Sequence, residues 1–168
     1  MPQVRRIAAA TLKSLIEFIP QFPEAEAVNM FQEFNKDEQD SVRLMSMGNF
    51  IALKNAGVEL PGETKKEIIK TWAEDKSWRI RYMVAEKMCE LRDMVDKEYF
   101  DEVLVEYFHK FMKDDETEVR SVSAAKIAEF LPLLDTDYKQ KILQGLKGLS
   151  SDSQLHVRRT FNLKVKVH

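Results

Sequence analysis

Asp75-Lys76-Ser77-Trp78-Arg79-Ile80-Arg81 decides the reading of this chain, because its frame recurs. An Asp is followed five residues later by Val-Arg or Ile-Arg. The same frame stands at Asp37…Val42-Arg43, Asp114…Val119-Arg120 and Asp152…Val157-Arg158. A fifth pair, Val4-Arg5, lies too close to the first residue to have its Asp. The Val/Ile positions 4, 42, 80, 119 and 157 are 38, 38, 39 and 38 residues apart. A period held this closely along 168 residues is the signature of a repeat architecture.

Aligning the units on that residue exposes their core. Eight residues before it stand Phe34, Trp72, Phe111 and Leu149. Eleven before stand Phe31, Ile69, Phe108 and Leu146. Eight after stand Leu12, Phe50, Met88 and Ile127, and eleven after stand Leu15, Leu53, Leu91 and Phe130. All sixteen are apolar in a chain that is 44% apolar, which chance would rarely give. Such spacing marks paired helices that cannot bury both faces alone and must stack on their neighbours.

Working outward, the spacing predicts a first helix over 4–19 whose apolar face is Val4, Ile7, Ala8, Leu12, Leu15, Ile16 and Ile19. Pro20 and Pro23 end it. Helices follow over 24–34, 41–56, 63–74, 78–95, 98–112 and 118–134. Ala56-Gly57 punctuates the third, and Ser77 is the expected N-cap of the helix over 78–95. A further helix starts near Thr136, turns at Asp152 and hands over to a partner at Val157. The expected division is 1–21 (the second helix of a truncated repeat), 22–59, 60–96, 97–135, and a partial repeat at 136–168. The tail Asn162-Leu163-Lys164-Val165-Lys166-Val167-His168 alternates apolar and basic residues like a strand, where a helix is due.

A formal net charge of −2 gives no case for nucleic acid as the main partner. No run of 18 apolar residues occurs, so no membrane partner is expected. One cysteine, Cys89, fits a reducing compartment, so the cytoplasm is expected, with the nucleus a second location. No enzyme constellation is present. His109, His156 and His168 fall in no zinc-binding spacing, and His156 reads as a solvated turn residue. Cys89 beside core position Met88 reads as a packed thiol. Gly145-Leu146-Lys147-Gly148 is not a phosphate loop, and Asp114-Asp115-Glu116 lacks calcium-loop spacing. No cofactor, metal or catalytic residue is therefore expected.

A two-helix unit of this length with Asp, then Val-Arg, resembles the HEAT repeat. The stretches MPQVRRIAAATL, MFQEFNKDEQDSVRL, WAEDKSWRIRYMVAEKM and FMKDDETEVRS, in that order, resemble the central repeats of a more specific family. That family is the scaffold (A) subunits of the type 2A serine/threonine protein phosphatases. The resemblance implies an all-α fold, a right-handed α-solenoid of antiparallel helix pairs, and a non-enzymatic scaffold. Exchangeable regulatory subunits would bind along the intra-repeat turns. It also implies a ladder in which the Arg after Val bonds the Asp of an adjacent repeat. Here that is Arg5, Arg43, Arg81, Arg120 and Arg158 with Asp37, Asp75, Asp114 and Asp152. The repeats that grip the catalytic subunit have no counterpart, so that partner is expected only if a longer native chain supplies them. The chain looks like a fragment or truncated relative, and its uncapped ends suggest self-association. The alternative reading is an accessory helical-repeat domain of a larger protein with unrelated partners.

The turns carry formal charges of +2, −2, +1, −2 and +1 in chain order, an alternating ridge that suits a protein partner. Within it, Trp78 and Tyr82 stand at positions whose residue type varies among repeats. Trp78, Arg79 and Tyr82 are read as an outward patch of types enriched in binding hot spots, or else Trp78 packs on a neighbouring turn. Arg6, Asp40 and Ser41 hold the matching positions of other turns and join the candidate partner-binding set.

Overall fold

Among the described residues helix follows the apolar spacing, and no strand forms. The computed structural model describes residues 1–165 and divides into two units, Met1–Pro61 and Gly62–His168. Within each unit, helices pack in neighbouring pairs, the arrangement of an α-solenoid.

Unit 1 contains α1 (Pro2–Phe18), α2 (Glu24–Asn35) and α3 (Asp40–Asn55). Pro2 is tolerated in the first turn, where its missing amide would be unpaired anyway. Ile19, ahead of Pro20, leaves the helical region with φ −100° and ψ 104°. Gln21 then takes a left-handed φ of 68° to reverse the chain. α3 ends on Gly57, whose φ of 83° suits a residue without Cβ. There the Gly57 amide donates to Lys54 O at 2.9 Å and the Val58 amide to Leu53 O at 3.0 Å, closing the orphan carbonyls. α1 packs along α3, and both meet α2. Small Ala9 on α1 lets fully buried Asn49 of α3 donate to its carbonyl at 3.1 Å. Phe31 and Phe50 stack at 5.6 Å between α2 and α3.

Unit 2 contains α4 (Gly62–Ala73), α5 (Trp78–Arg92), α6 (Lys97–Tyr99), α7 (Val105–Phe111), α8 (Thr117–Phe130), α9 (Thr136–Ser150) and α10 (Leu155–Val165). The second helices α5, α8 and α10 lie side by side, and α4, α7 and α9 pack against them. Phe130 is central to this core, stacked on Phe108 at 4.1 Å and edge-on to Phe100 at 5.7 Å. Gly145 of α9 faces the end of α7; a Cβ there would come within 2.5 Å of Met112 Cε.

The helix expected over 98–112 is interrupted by a π turn, Phe100–Leu104, joining α6 to α7. The cause is arithmetic. This unit is the one with 39 rather than 38 residues between its Ile80 and Val119. The core positions on both flanks, Leu91 and Phe108, keep their register, so the extra residue must be absorbed between them. A π turn widens one helical turn by one residue and does that.

Fourteen of the sixteen aligned apolar positions are buried; Leu15 and Leu146 are half-buried. Three expectations change. Val4 and Ile7, on the expected apolar face of the first helix, are 61% and 62% exposed. The strand-like tail is helical as far as Val165, because Val157 and Phe161, one helical turn apart, bury against the neighbouring helices. Tertiary burial there outweighs the local alternation; Lys166 to His168 lie outside the described residues. α5 stops at Arg92, so the buried residue beyond it is Met94, with Val95 half-buried.

Candidate functional site

Each intra-pair turn is built by one aspartate and one arginine. The Asp37, Asp75, Asp114 and Asp152 Oδ1 atoms accept the backbone amides of Gln39, Ser77, Glu116 and Gln154 at 2.8–2.9 Å. The short side chain thereby fixes the turn before each second helix. Ser77 occupies the N-cap position of α5 but makes no side-chain capping bond; the capping role falls to the turn itself.

The arginine six residues after each aspartate closes the same turn. Arg81 Nη1 donates to Asp75 O at 2.8 Å and Lys76 O at 3.3 Å. Arg43 does this to Asp37 O and Glu38 O, and Arg120 to Asp114 O and Asp115 O. Arg158 repeats it on Asp152 O and Ser153 O. The remaining edge of the guanidinium, Nε and Nη2, is a planar fork that fits a carboxylate. In unit 1, Arg5 seats it on Asp37 at 2.6 and 3.2 Å. In unit 2, Arg81 seats it on Asp114 at 2.8 and 2.9 Å, and Arg120 on Asp152 at 2.6 and 3.1 Å.

These contacts move the titrations in one direction. The bond from Arg5, helped by the Gln39 amide and the charge of Arg43, outweighs desolvation and holds the Asp37 carboxyl below the usual range. The bond from Arg120 does the same for Asp152. At Asp114 burial pushes upward most strongly, yet Arg81, the Glu116 amide and Arg120 together bring it below the ordinary value.

A second polar rail joins the first helices of unit 2. Lys66 Nζ meets Asp96 at 2.8 Å, and Lys97 Nζ meets Asp135 at 2.6 Å while also bonding Asp101. Tyr99 donates to Lys66 O at 3.0 Å, Tyr107 donates to Glu74 Oε1 at 2.6 Å, and Glu106 pairs with Lys141. Burial, then the bond to Glu74, pushes the Tyr107 phenol far upward. Sequence reading missed this rail. Its partners stand at several different separations, so no single period announces them.

Between the Asp and the Arg of each turn the Val or Ile is buried, while the residues ahead of it are half-buried or exposed. In unit 2, exposed Arg79 lays its guanidinium over the Trp78 ring at 4.8 Å. Tyr82 meets the same ring edge-on at 6.4 Å, with planes 82° apart. Trp78 and Tyr82 are half-buried, so the patch is anchored by its aromatic rings and capped by one exposed cation. In unit 1, Arg6 is exposed and Asp40 and Ser41 are half-buried at the start of α3. The candidate residues thus form two groups, one in each unit.

Nothing in the described residues assembles a metal site of three or more His, Cys, Asp or Glu. Burial, first, pushes the Cys89 thiol up, which suppresses its thiolate. His109 is half-buried, and desolvation lowers its pKa. His156 is the second residue of α10 and exposed, not in the turn. No described helix is long and apolar enough to cross a membrane.

No family model matches the chain. It is similar to the regulatory (A) subunit of protein phosphatase PP2A from Schizosaccharomyces pombe, 32% identical over 99 residues. The match covers 56% of this chain and 16% of that protein, so the chain spans a small part of its relative's length. The similarity supports a HEAT-type helical-repeat family for this chain.

Proposed function

We propose that this chain is a non-enzymatic helical-repeat scaffold that binds protein subunits along its intra-pair turns. By analogy with its relative, the partners are regulatory-type subunits of a type 2A phosphatase. The observation that carries the reading is the Trp78, Arg79 and Tyr82 cluster, with the cation stacked at 4.8 Å on the indole. Aromatic rings partly anchored in the fold and topped by Arg present large contact area at little further ordering cost. The Asp–Arg turns beneath hold α5 in place, so the cluster is displayed on a rigid element. The charge of the turns alternates along the chain, which favours a partner with matching patches over a phosphate backbone.

The test is isothermal titration of the chain with a purified phosphatase 2A regulatory subunit. Trp78→Ala and Arg79→Ala should each weaken binding, the first by about 2 kcal/mol or more. Because Trp78 is half-buried, its truncation should also cost about 1–2 kcal/mol of stability, so unfolding is measured on the same samples. Unchanged affinity for a folded Trp78→Ala variant would sink the reading.

A further inference from the structure

A groove opens in unit 1 at positions that unit 2 fills with larger side chains. Its lining comes from the end of α1, the loop to α2, the start of α2 and the end of α3. Its volume is about 350 Å³, at the small end of the range for ligand pockets. Two alanines account for its depth. Ala27 stands fifteen residues before Val42, where unit 2 carries Lys65, Leu104 and Ile142. Ala56 stands fourteen residues after Val42, where unit 2 carries Met94 and Leu133. Leu104, Ile142 and Met94 are buried, so in their own helix pairs the larger side chains occupy the space that the alanines leave empty.

The groove is apolar within and acidic at its rim. Buried Ala27 and Leu53 form its floor, half-buried Ile16, Phe22 and Val58 stand along it, and exposed Glu17 and Glu24 border it. Its walls are preformed. Pro20 and Pro23 restrict the loop, the Phe22 amide donates to Ile19 O at 3.2 Å, and the Val58 amide donates to Leu53 O at 3.0 Å. An occupant therefore meets little ordering cost on the protein side. From Ser14 to Asn35 the chain carries four glutamates and no lysine or arginine. Glu17 has Lys13 of its own helix at 3.7 Å, and no ion pair holds Glu24 among the described residues. The field at the groove mouth is thus negative.

We infer that this groove docks a segment of a partner protein that carries a large apolar side chain beside a lysine or arginine. The apolar side chain takes the space over Ala27 and Ala56, and the cation meets Glu24 and Glu17. Charge complementarity selects this occupant, because an acidic segment would meet like charge at the rim. The groove lies at the opposite end of α2 from the Asp37 turn. The twelve residues of that helix put about 18 Å between them. A partner seated here makes no use of the turns, so this reading and the turn-binding reading fail independently.

The probe is the synthetic peptide acetyl-Lys-Leu-Phe-Arg-amide, with acetyl-Glu-Leu-Phe-Asp-amide as its control, each titrated into the full isotope-labelled chain and followed by NMR. The basic peptide should shift the amides of Ala27, Ala56 and Val58 at about 1 mM or below, and the acidic one should not. Ala56→Met changes an exposed residue and places in the groove the side chain that unit 2 has there. It should weaken binding about tenfold or more while the melting temperature holds or rises. Ala27→Leu fills the floor and should act the same way. Glu24→Gln should weaken binding about two- to fivefold, a difference that high salt removes. Trp78→Ala should leave peptide binding unchanged. Amides that stay unmoved at about 1 mM basic peptide, an equal response to both peptides, or binding indifferent to Ala56→Met would overturn the inference. Self-association of the chain that Ala56→Met abolishes would also overturn it, by making a second copy the occupant.

Discussion

Replacing Arg81 by alanine removes four hydrogen bonds at once, two to its own turn and two to Asp114. The Arg81 and Asp114 side chains are only 19% and 9% exposed, so the pair is mostly shielded from water. Stripping one partner from a buried pair costs about 3–5 kcal/mol, and an exposed one under about 1 kcal/mol. Asp114 would keep the Glu116 amide at 2.9 Å and could regain some solvent, which places the cost at the lower end of the buried range. We expect about 3 kcal/mol for Arg81→Ala. Asp114→Asn keeps an acceptor for that amide and loses the charge, which should cost about 1.5 kcal/mol. The pair should show a coupling of about 1–2 kcal/mol in a double-mutant cycle. Urea unfolding followed by tryptophan fluorescence reads this directly, because Trp72 and Trp78 both lie in unit 2. Coupling below about 0.5 kcal/mol would refute the view that the turn aspartates and arginines act as a ladder.

Core and end positions should separate cleanly: Leu91→Ala, at a fully buried site, should cost about 2–5 kcal/mol, and Val4→Ala, at an exposed one, within about 0.5 kcal/mol, by the same unfolding assay. Acid should unfold the protein through its turns. The Asp37, Asp114 and Asp152 carboxyls lie below their ordinary values when folded, so their contribution is full above about pH 4 and is lost as pH falls through the folded values. A circular dichroism acid titration should therefore show a transition below about pH 4, and Arg81→Ala should move it to higher pH. Half-buried Cys89, its thiol pushed up by burial, should react with a disulfide reagent at least about tenfold more slowly than free cysteine at neutral pH; equal rates would contradict the placement.

Sequence alone determined the repeat, its register and the core. Residues such as Phe31, Trp72, Met88 and Ile127 can be picked out by number because a stacked helix pair must bury the same positions in every unit. The Asp and Val-Arg frame was equally legible, since each turn needs its residues at fixed offsets. Even the π turn left a trace in the single spacing of 39, although choosing where the extra residue goes required seeing Leu91 and Phe108 both in place. The tertiary structure decided three further matters. It split the arginine's work, giving Nη1 to the local carbonyls and the fork to a residue 32 or 33 positions away. It made the tail to Val165 a helix, because the burial of Val157 and Phe161 against α8 and α9 exceeds the small preference expressed by an alternating pattern. It left Val4 and Ile7 exposed although their spacing is that of a core face. Periodicity says which side of a helix is apolar; only the packed neighbours determine whether that side is covered.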